Sequence, residues 1–393
     1  MFEFFPGNRR WSITTIRLIG KAYQGGSEFN ECCKAINGLK EASGVDQWYV
    51  EWMKLAKDIE TWGESALRSG HRETARNALL RSSMYYFTAR ILLNDDPRIL
   101  EAHKRSVDCF GRAGELFNPP LERVSIPFES MQMKGYFFPA MGDKPGPGMI
   151  FVIGADTTPE EAYFFGINEA RARGISCLVF NGPDQAGSLI EDGIPSRPDY
   201  EKPIAAGLDY LATRKEVDPK RLGLIGHSMG GYYAARGAAY DDRVKACVIW
   251  GACFDVLKDY FEFHPPSKAR CMWLVGAKSE AETRERLKSF NLNEAAKKIR
   301  CPILILHGEE DDIVSPDAAR RLYRETICAK ELKMFSAAEG GSWHCQHDLP
   351  TVAQAYVYDW LRGALCSTGA YRARSKSSAE DGPSTGRDSG DLE

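Results

Sequence analysis

Hydrophobic positions change their period once along this chain. From about Ser27 to Phe117 apolar residues recur at intervals of three and four. Trp48, Trp52, Leu55, Ile59, Trp62 and Ala66 fall on one face of a long helix, and Ala75, Leu79, Tyr86, Ala89 and Leu93 on one face of another. "NDDP" at Asn94 to Pro97 separates two of these helices, and "NPP" at Asn118 to Pro120 closes the block. The Trp and Tyr stripes are expected to pack helix against helix, since an amphipathic face usually buries on its neighbour. The helix pairs have a solenoid look, but no fixed period repeats.

After Pro120 short apolar runs replace that pattern. "RVSIPFE" and "MQMKGYFFPA" read as an antiparallel pair, and "GMIFVIG", "ISCLVFNG", "RLGLIGHS", "VKACVIWG", "CPILILHG" and "LKMFSAA" as further strands. Helical segments start near Pro159, Pro203, Met229, Pro316 and Pro350. Strands apolar on both faces and alternating with helices predict an α/β fold with a mostly parallel, doubly covered sheet. The expected organisation is therefore a helical N-terminal cap over residues 1–119, an α/β catalytic domain over 120–366, and a tail over 367–393. The polar, helix-rich interval at about 254–298 is where a lid would fit. The tail is Ser/Gly-rich and without apolar periodicity, which predicts disorder.

Composition narrows the classes of function. The chain has 393 residues, 43% hydrophobic and 27% charged, with a net charge of -3. That describes a soluble globular protein with no electrostatic bias toward nucleic acid or acidic membranes. No apolar run approaches a membrane span, and "MFEFFPGNRRW" lacks the uncharged core of a secretory signal, so a cytoplasmic location is expected. The 11 cysteines are scattered and odd in number, which predicts free thiols rather than a disulfide framework or a zinc site. No metal or other cofactor is expected. The expected partner is a small-molecule substrate, with a homodimer left open.

Chemistry concentrates in three stretches. Gly226, Ser228 and Gly230 form G-x-S-x-G between an apolar strand and an alanine-rich helix, where a sharp turn lifts a serine above the sheet. The Met229 amide, at the start of that helix, can donate to a developing oxyanion. A serine hydroxyl needs a base and the base needs a carboxylate, following in the order serine, acid, histidine. In "HGEEDD" Asp311 and Asp312 compete, and the spacing H-G-x-x-D selects Asp311. In "EGGSWHCQHD" His344 is preferred, with His347, one helical turn onward, as the alternative. His307 reads as structural, and His264 precedes any candidate acid.

"GHSMGG", "CPILILHGEEDDIVSP" and "GGSWHCQHD" together resemble the alpha/beta-hydrolase superfamily, in particular its subgroup with a helical N-terminal cap. That subgroup includes a bacterial pseudooxynicotine hydrolase and fungal hydrolases that shorten or process polyketides in pigment and mycotoxin pathways. The likeness runs from about Gly44 to Leu365, including "RSSMYYFTARILLNDDP" and "NGPDQAGS". It implies a Ser228, Asp311, His344 triad and a substrate cleft between cap and sheet. Where many esterases carry HGGG, this chain has Gly154, Ala155 and Asp156, so the second oxyanion amide is assigned to Ala155. Thr158, Pro159 and Glu161 already read as a helix cap with its capping-box glutamate, which leaves Asp156 for substrate. So near an oxyanion site, its carboxyl is expected either to be protonated or to face a donor such as an enol or phenol. Similar C–C hydrolases have an acidic residue in this turn.

The triad implies acyl chemistry but not the bond. The leading expectation is C–C cleavage of a 1,3-dicarbonyl in a polyketide-like intermediate of secondary metabolism, because a carbanion leaves only if a second carbonyl spreads its charge. An ester or thioester hydrolase, or a cyclase, is the alternative within the same architecture. A non-catalytic ligand-binding protein is the alternative outside it.

Overall fold

A computed structural model of the chain describes residues 3–39, 44–142 and 144–366. The tail expected over 367–393 lies outside the described residues.

Eight strands form one sheet in the order β1-β2-β4-β3-β5-β6-β7-β8. β1 (Glu122–Phe128) and β2 (Met131–Phe138) are an antiparallel pair, and β2 is also antiparallel to β4 (Ser176–Phe180). β3 (Gly146–Val152), β5 (Val217–His227), β6 (Val244–Trp250), β7 (Ile303–Gly308) and β8 (Lys330–Phe335) complete a run that is parallel from β4 onward. All the strands read from the apolar runs are present, with ends shifted by a few residues. Alternation explains the double cover. Along β6, Cys247 and Ile249 join one buried cluster with Ile204 and Tyr232, while Val248 and Trp250 join the other with Val357 and Leu361. Helices Glu201–Ala212 and Met229–Tyr240 therefore lie on one face, and Pro350–Cys366 on the other.

The N-terminal block contains α1 (Arg9–Ile19), α2 (Phe29–Asn37), α3 (Val45–Arg68), α4 (Arg72–Arg90) and α5 (Arg98–Gly114). α4 packs between α3 and α5 and is buried almost all round over its second half. Its serines are accommodated by donating to neighbouring helices, Ser82 to the Ala56 carbonyl and Ser83 to that of Ser106, at 2.8 Å each. Phe5, Trp11, Trp48, Trp52 and Tyr85 form a column of rings with successive centroids 5.2–6.1 Å apart. This column and the sheet residues Phe151, Val179 and Ile225 belong to one continuous buried cluster, so the helices share their core with a face of the sheet.

One member of the expected Trp face departs from it. Trp62 is 48% exposed and lies beneath the Arg81 guanidinium. Ten residues beyond Trp52, it has turned about 80° off the buried face. Among the described residues no helix is long and apolar enough to cross a membrane.

The block is tied to the sheet by a buried ionic knot. Thr158 caps the helix that begins at Pro159, as expected, accepting from the Glu161 amide. Glu161 does not close a capping box. Its fully buried carboxylate instead receives Arg17 Nη2 at 2.5 Å, Arg17 Nε at 2.8 Å and Lys21 Nζ at 2.8 Å, from the N-terminal segment. Burial opposes the Glu161 charge, but Arg17 and Lys21 outweigh it and hold the carboxyl below its ordinary value. We expect Glu161→Gln to strand two cations and cost about 3–5 kcal/mol in urea unfolding. A depressed folded value also means that this contribution is present at neutral pH and lost as pH falls through it. Wild-type and Glu161→Gln stabilities should therefore converge in acid.

Candidate active site

Crowding at the end of β5 dictates the turn that carries Ser228. A Cβ on Gly226 would stand 2.2 Å from the Gly230 carbonyl oxygen, and one on Gly230 only 2.1 Å from that of Val152. Only glycines let strand, turn and helix approach this closely. Between them Ser228 takes φ +57°, ψ -128°, a strained conformation held by a 2.7 Å bond from its amide to the Trp250 carbonyl. The next element, Met229–Tyr240, begins at once, so its first amides converge beside the serine. Gly154 presses on the same turn, since a Cβ there would lie 3.0 Å from that of Ser228 and 3.4 Å from the Met229 nitrogen. Ala155, next in sequence, lines the same cavity as the serine.

The structure brings Ser228, His344 and Asp311 into one chain of hydrogen bonds. His344 Nε2 is 2.9 Å from Ser228 Oγ, and His344 Nδ1 is 2.6 Å from Asp311 Oδ2. With an ionised carboxylate at Nδ1, the proton sits there, and the Nε2 lone pair faces the hydroxyl. Asp311 is fixed independently, because its Oδ1 accepts from the Ile313 and Val314 amides at 2.9 Å each. His307 Nε2 lies 3.1 Å from its Oδ2 and 3.0 Å from the Val314 carbonyl, the structural position expected for it. Burial disfavours charge on Asp311, yet His344 and His307 hold its carboxyl well below the usual range. Burial likewise opposes charge on His344, and Asp311 overrides it, raising the imidazole well above its ordinary value.

The competing residues lie elsewhere. Asp312 turns outward to Arg9, 2.5 Å away. His347 is not one helical turn beyond His344, because Cys345 and Gln346 adopt φ +53° and +50° between them. That kink sends the two imidazoles apart. His344 meets Asp311, while His347 packs against Phe165 and His227 at 5.6 and 5.5 Å between centroids. Burial first, and the nearby Arg17 charge second, keep His347 and His227 neutral. Trp250 braces the kink by donating its indole N–H to Gln346 Oε1 at 2.7 Å.

Above the serine is a cavity of about 400 Å³. Ile13 and Thr14 of α1, Ile91 and Leu92 after α4, and Tyr260 and Arg270 of the interval 254–298 face it from three directions. The interval carries helices Lys268–Leu274 and Glu280–Leu287 and lies over the serine where a lid would fit. Asp156 lines this cavity, and of the two expectations for its carboxyl, protonated or facing a donor, its surroundings exclude the first. Burial would neutralise it, whereas Arg270, with its Nε 3.1 Å away, and then Arg17, Arg10 and Arg90 hold it below its ordinary value. The sequence reading passed over α1 and these arginines altogether. The signal was present: Asn8 caps the helix, and Trp11, Thr15 and Leu18 repeat at helical spacing.

Comparison with known proteins agrees with this architecture. The profile of the prolyl oligopeptidase family matches residues 202–365. The alpha/beta hydrolase pydG of Acremonium sp is 31% identical over 351 residues, spanning 77% of this chain and 82% of that protein. The 2,6-dihydropseudooxynicotine hydrolase of Paenarthrobacter nicotinovorans is 28% identical, over 84% and 87% of the two chains. The alpha/beta hydrolase ucsC of Acremonium sp is 34% identical, but the chain covers only 57% of that protein. The crystal structure of the 2,6-dihydroxy-pseudo-oxynicotine hydrolase superposes with a TM-score of 0.78 at 26% identity, covering 88% of this chain and 96% of that one. A serine on a strained strand-to-helix turn, eight strands in this order and these relatives lead to one assignment: the chain belongs to the alpha/beta-hydrolase family.

Proposed function

We propose that this hydrolase cleaves a C–C bond of a polyketide-like 1,3-dicarbonyl substrate through an acyl-enzyme on Ser228. The observation that carries the reading is the unbroken hydrogen-bonded chain Asp311–His344–Ser228, whose serine and histidine line the cavity. In it Ser228 Oγ attacks a substrate carbonyl while His344 Nε2 takes its proton, and Asp311 orients and stabilises the imidazolium. The Met229 and Ala155 amides receive the oxyanion. Collapse of the tetrahedral intermediate expels an enolate, whose carbon takes the proton back from His344. Water, deprotonated by the same imidazole, then releases the carboxylic acid product and regenerates the serine.

Two features support the choice of bond. Arginine charge beside the reacting centre stabilises a departing enolate, which an alkoxide leaving group needs less. The likeness to fungal hydrolases and to the pseudooxynicotine hydrolase points the same way. Asp156, ionised and paired, orients these arginines in this reading and contacts substrate from the cavity wall. The same machinery serves an ester or thioester, so the substrate comparison is the test. A β-diketone should be cleaved in preference to nitrophenyl acetate, and Asp156→Asn should slow the diketone far more than the ester. Equal losses on both would remove the argument for a C–C bond.

Two further outcomes check the residue roles. Ser228→Ala should lower kcat at least about a thousandfold with the fold retained, and His344→Ala comparably, whereas His347→Ala should cost less than about tenfold. Circular dichroism and steady-state rates on one substrate decide the ranking. For pH, the base must be neutral to accept the serine proton, so activity falls as pH drops through the His344 value. Because Asp311 raises that value above 6.5, the acid limb of kcat/KM should lie above 6.5 and move down in Asp311→Asn.

A further inference from the structure

The cavity holds more positive charge than its own fold consumes. Arg9, Arg10, Arg17 and Arg270 line it, and Lys21 and Arg90 are buried close by. Against these six cations stand Asp156, Asp312 and Glu161, and Glu160, which is engaged by the Tyr136 hydroxyl. Most of the cations have work within the protein. Arg9 pairs with Asp312 and stacks on Trp343; Arg17 and Lys21 hold Glu161; Arg270 reaches Asp156 and donates to the Ile91 and Leu93 carbonyls. Two remain. The guanidinium of Arg10, an exposed residue at the mouth of the cavity, has no hydrogen-bond or ion-pair partner among the described residues, and Arg90, buried behind the cavity wall, has its Nε and Nη2 without a hydrogen-bond partner.

A buried guanidinium without a partner, as at Arg90, is costly. Burial and the neighbouring Arg270 pull Arg90 down to about 10, and partial desolvation lowers the exposed Arg10 as well, with Arg270 adding to the effect. An anion entering the cavity pairs with Arg10, which lines it, and offsets the field of Arg90 behind the wall. Its walls also offer Ile13, Ile91, Leu92 and Ile313, so the anion would be one end of an otherwise apolar molecule. A guanidinium fork best matches two oxygens that share one charge. Carboxylates and 1,3-dicarbonyl enolates both have that form.

We propose that this cavity recognises its substrate by an anionic two-oxygen group, a carboxylate or a 1,3-dicarbonyl enolate, which Arg10 and Arg270 grip while the apolar remainder fills the space over Ser228. This rests on reading the cavity as the substrate site, and it adds a requirement that the catalytic residues alone do not impose. A neutral ester can be turned over, but an acidic ligand is preferred.

Binding, not turnover, is the test. Ser228→Ala protein is titrated calorimetrically at pH 8 with benzoate and benzamide, and with 1,3-cyclohexanedione, which is ionised there, and cyclohexanone. Each pair differs in charge at nearly constant size. We expect at least one anion to bind about tenfold or more tightly than its neutral counterpart, and Arg10→Gln, in the same background, to erase most of that advantage. Preference for benzoate alone identifies a carboxylate as the substrate group, and preference for the dione alone an enolate. Arg270→Gln should act in the same direction, but it also frees two carbonyls of the cap, so Arg10→Gln, which leaves no buried partner behind, decides if the former misfolds. Equal or tighter binding of the neutral compounds, or undiminished anion affinity in Arg10→Gln, would overturn the proposal. Neither result depends on Ser228 being the nucleophile, so failure here is distinct from failure of the proposed reaction.

Discussion

Backbone crowding at the end of β5 is the constraint from which the rest of the site follows. Three chain segments meet there at distances that exclude a Cβ: the strand at Gly226, the helix start at Gly230 and the β3 loop at Gly154. Ser228, the middle one of the three residues between the two glycines of the turn, takes positive φ, which turns its side chain away from the sheet. Because β6, β7 and β8 run parallel to β5, the loops after them open on the same side. The Asp311 loop and the His344 turn thus reach Ser228 without any long excursion of the chain. The packing also sets the Met229 amide and the Gly154 backbone against the serine.

The helical block does more than cover this edge. α1 crosses the cavity mouth because Arg17 and Lys21 are locked to Glu161, a carboxylate at the start of the first helix after β3. That anchor brings Arg10 and Ile13, one to two turns earlier, over the serine. Opposite, Arg270 ties the interval 254–298 to the end of α4 through two carbonyls. One set of basic residues therefore flanks the cavity and sets its electrostatic character. Charge that would be a liability in an apolar core is tolerated here because Asp156 and Glu161 share it.

How much of this could be read beforehand depends on the range of the interaction. The strands were legible because alternation and apolar runs are local properties, and so was G-x-S-x-G, a pattern of five consecutive residues. Asp311 was separable from Asp312 because spacing within one loop decides which carboxylate turns inward. His344 was preferred to His347 for its place nearer the glycine turn, and spacing alone did not separate the two. What parts them is a left-handed kink at Cys345 and Gln346, braced by Trp250 about 95 positions away, and no local pattern encodes that contact. The ionisation of Asp156 stayed open for the same reason. Its ionisation is decided by Arg10, Arg17, Arg90 and Arg270, which come from three separate regions of the chain. Trp62 failed on a smaller matter, since it falls at the edge of a helical face on which the later Ala66 is still buried, and spacing alone does not mark that edge.

The central claim is that Ser228 is a nucleophile activated by His344. The most direct measurement is covalent capture: the protein is treated with a fluorophosphonate, and the adduct is weighed and located by mass spectrometry. One adduct per chain on Ser228, formed at a rate that collapses in His344→Ala, is the result this account predicts. No adduct, or one on a different residue, would contradict it.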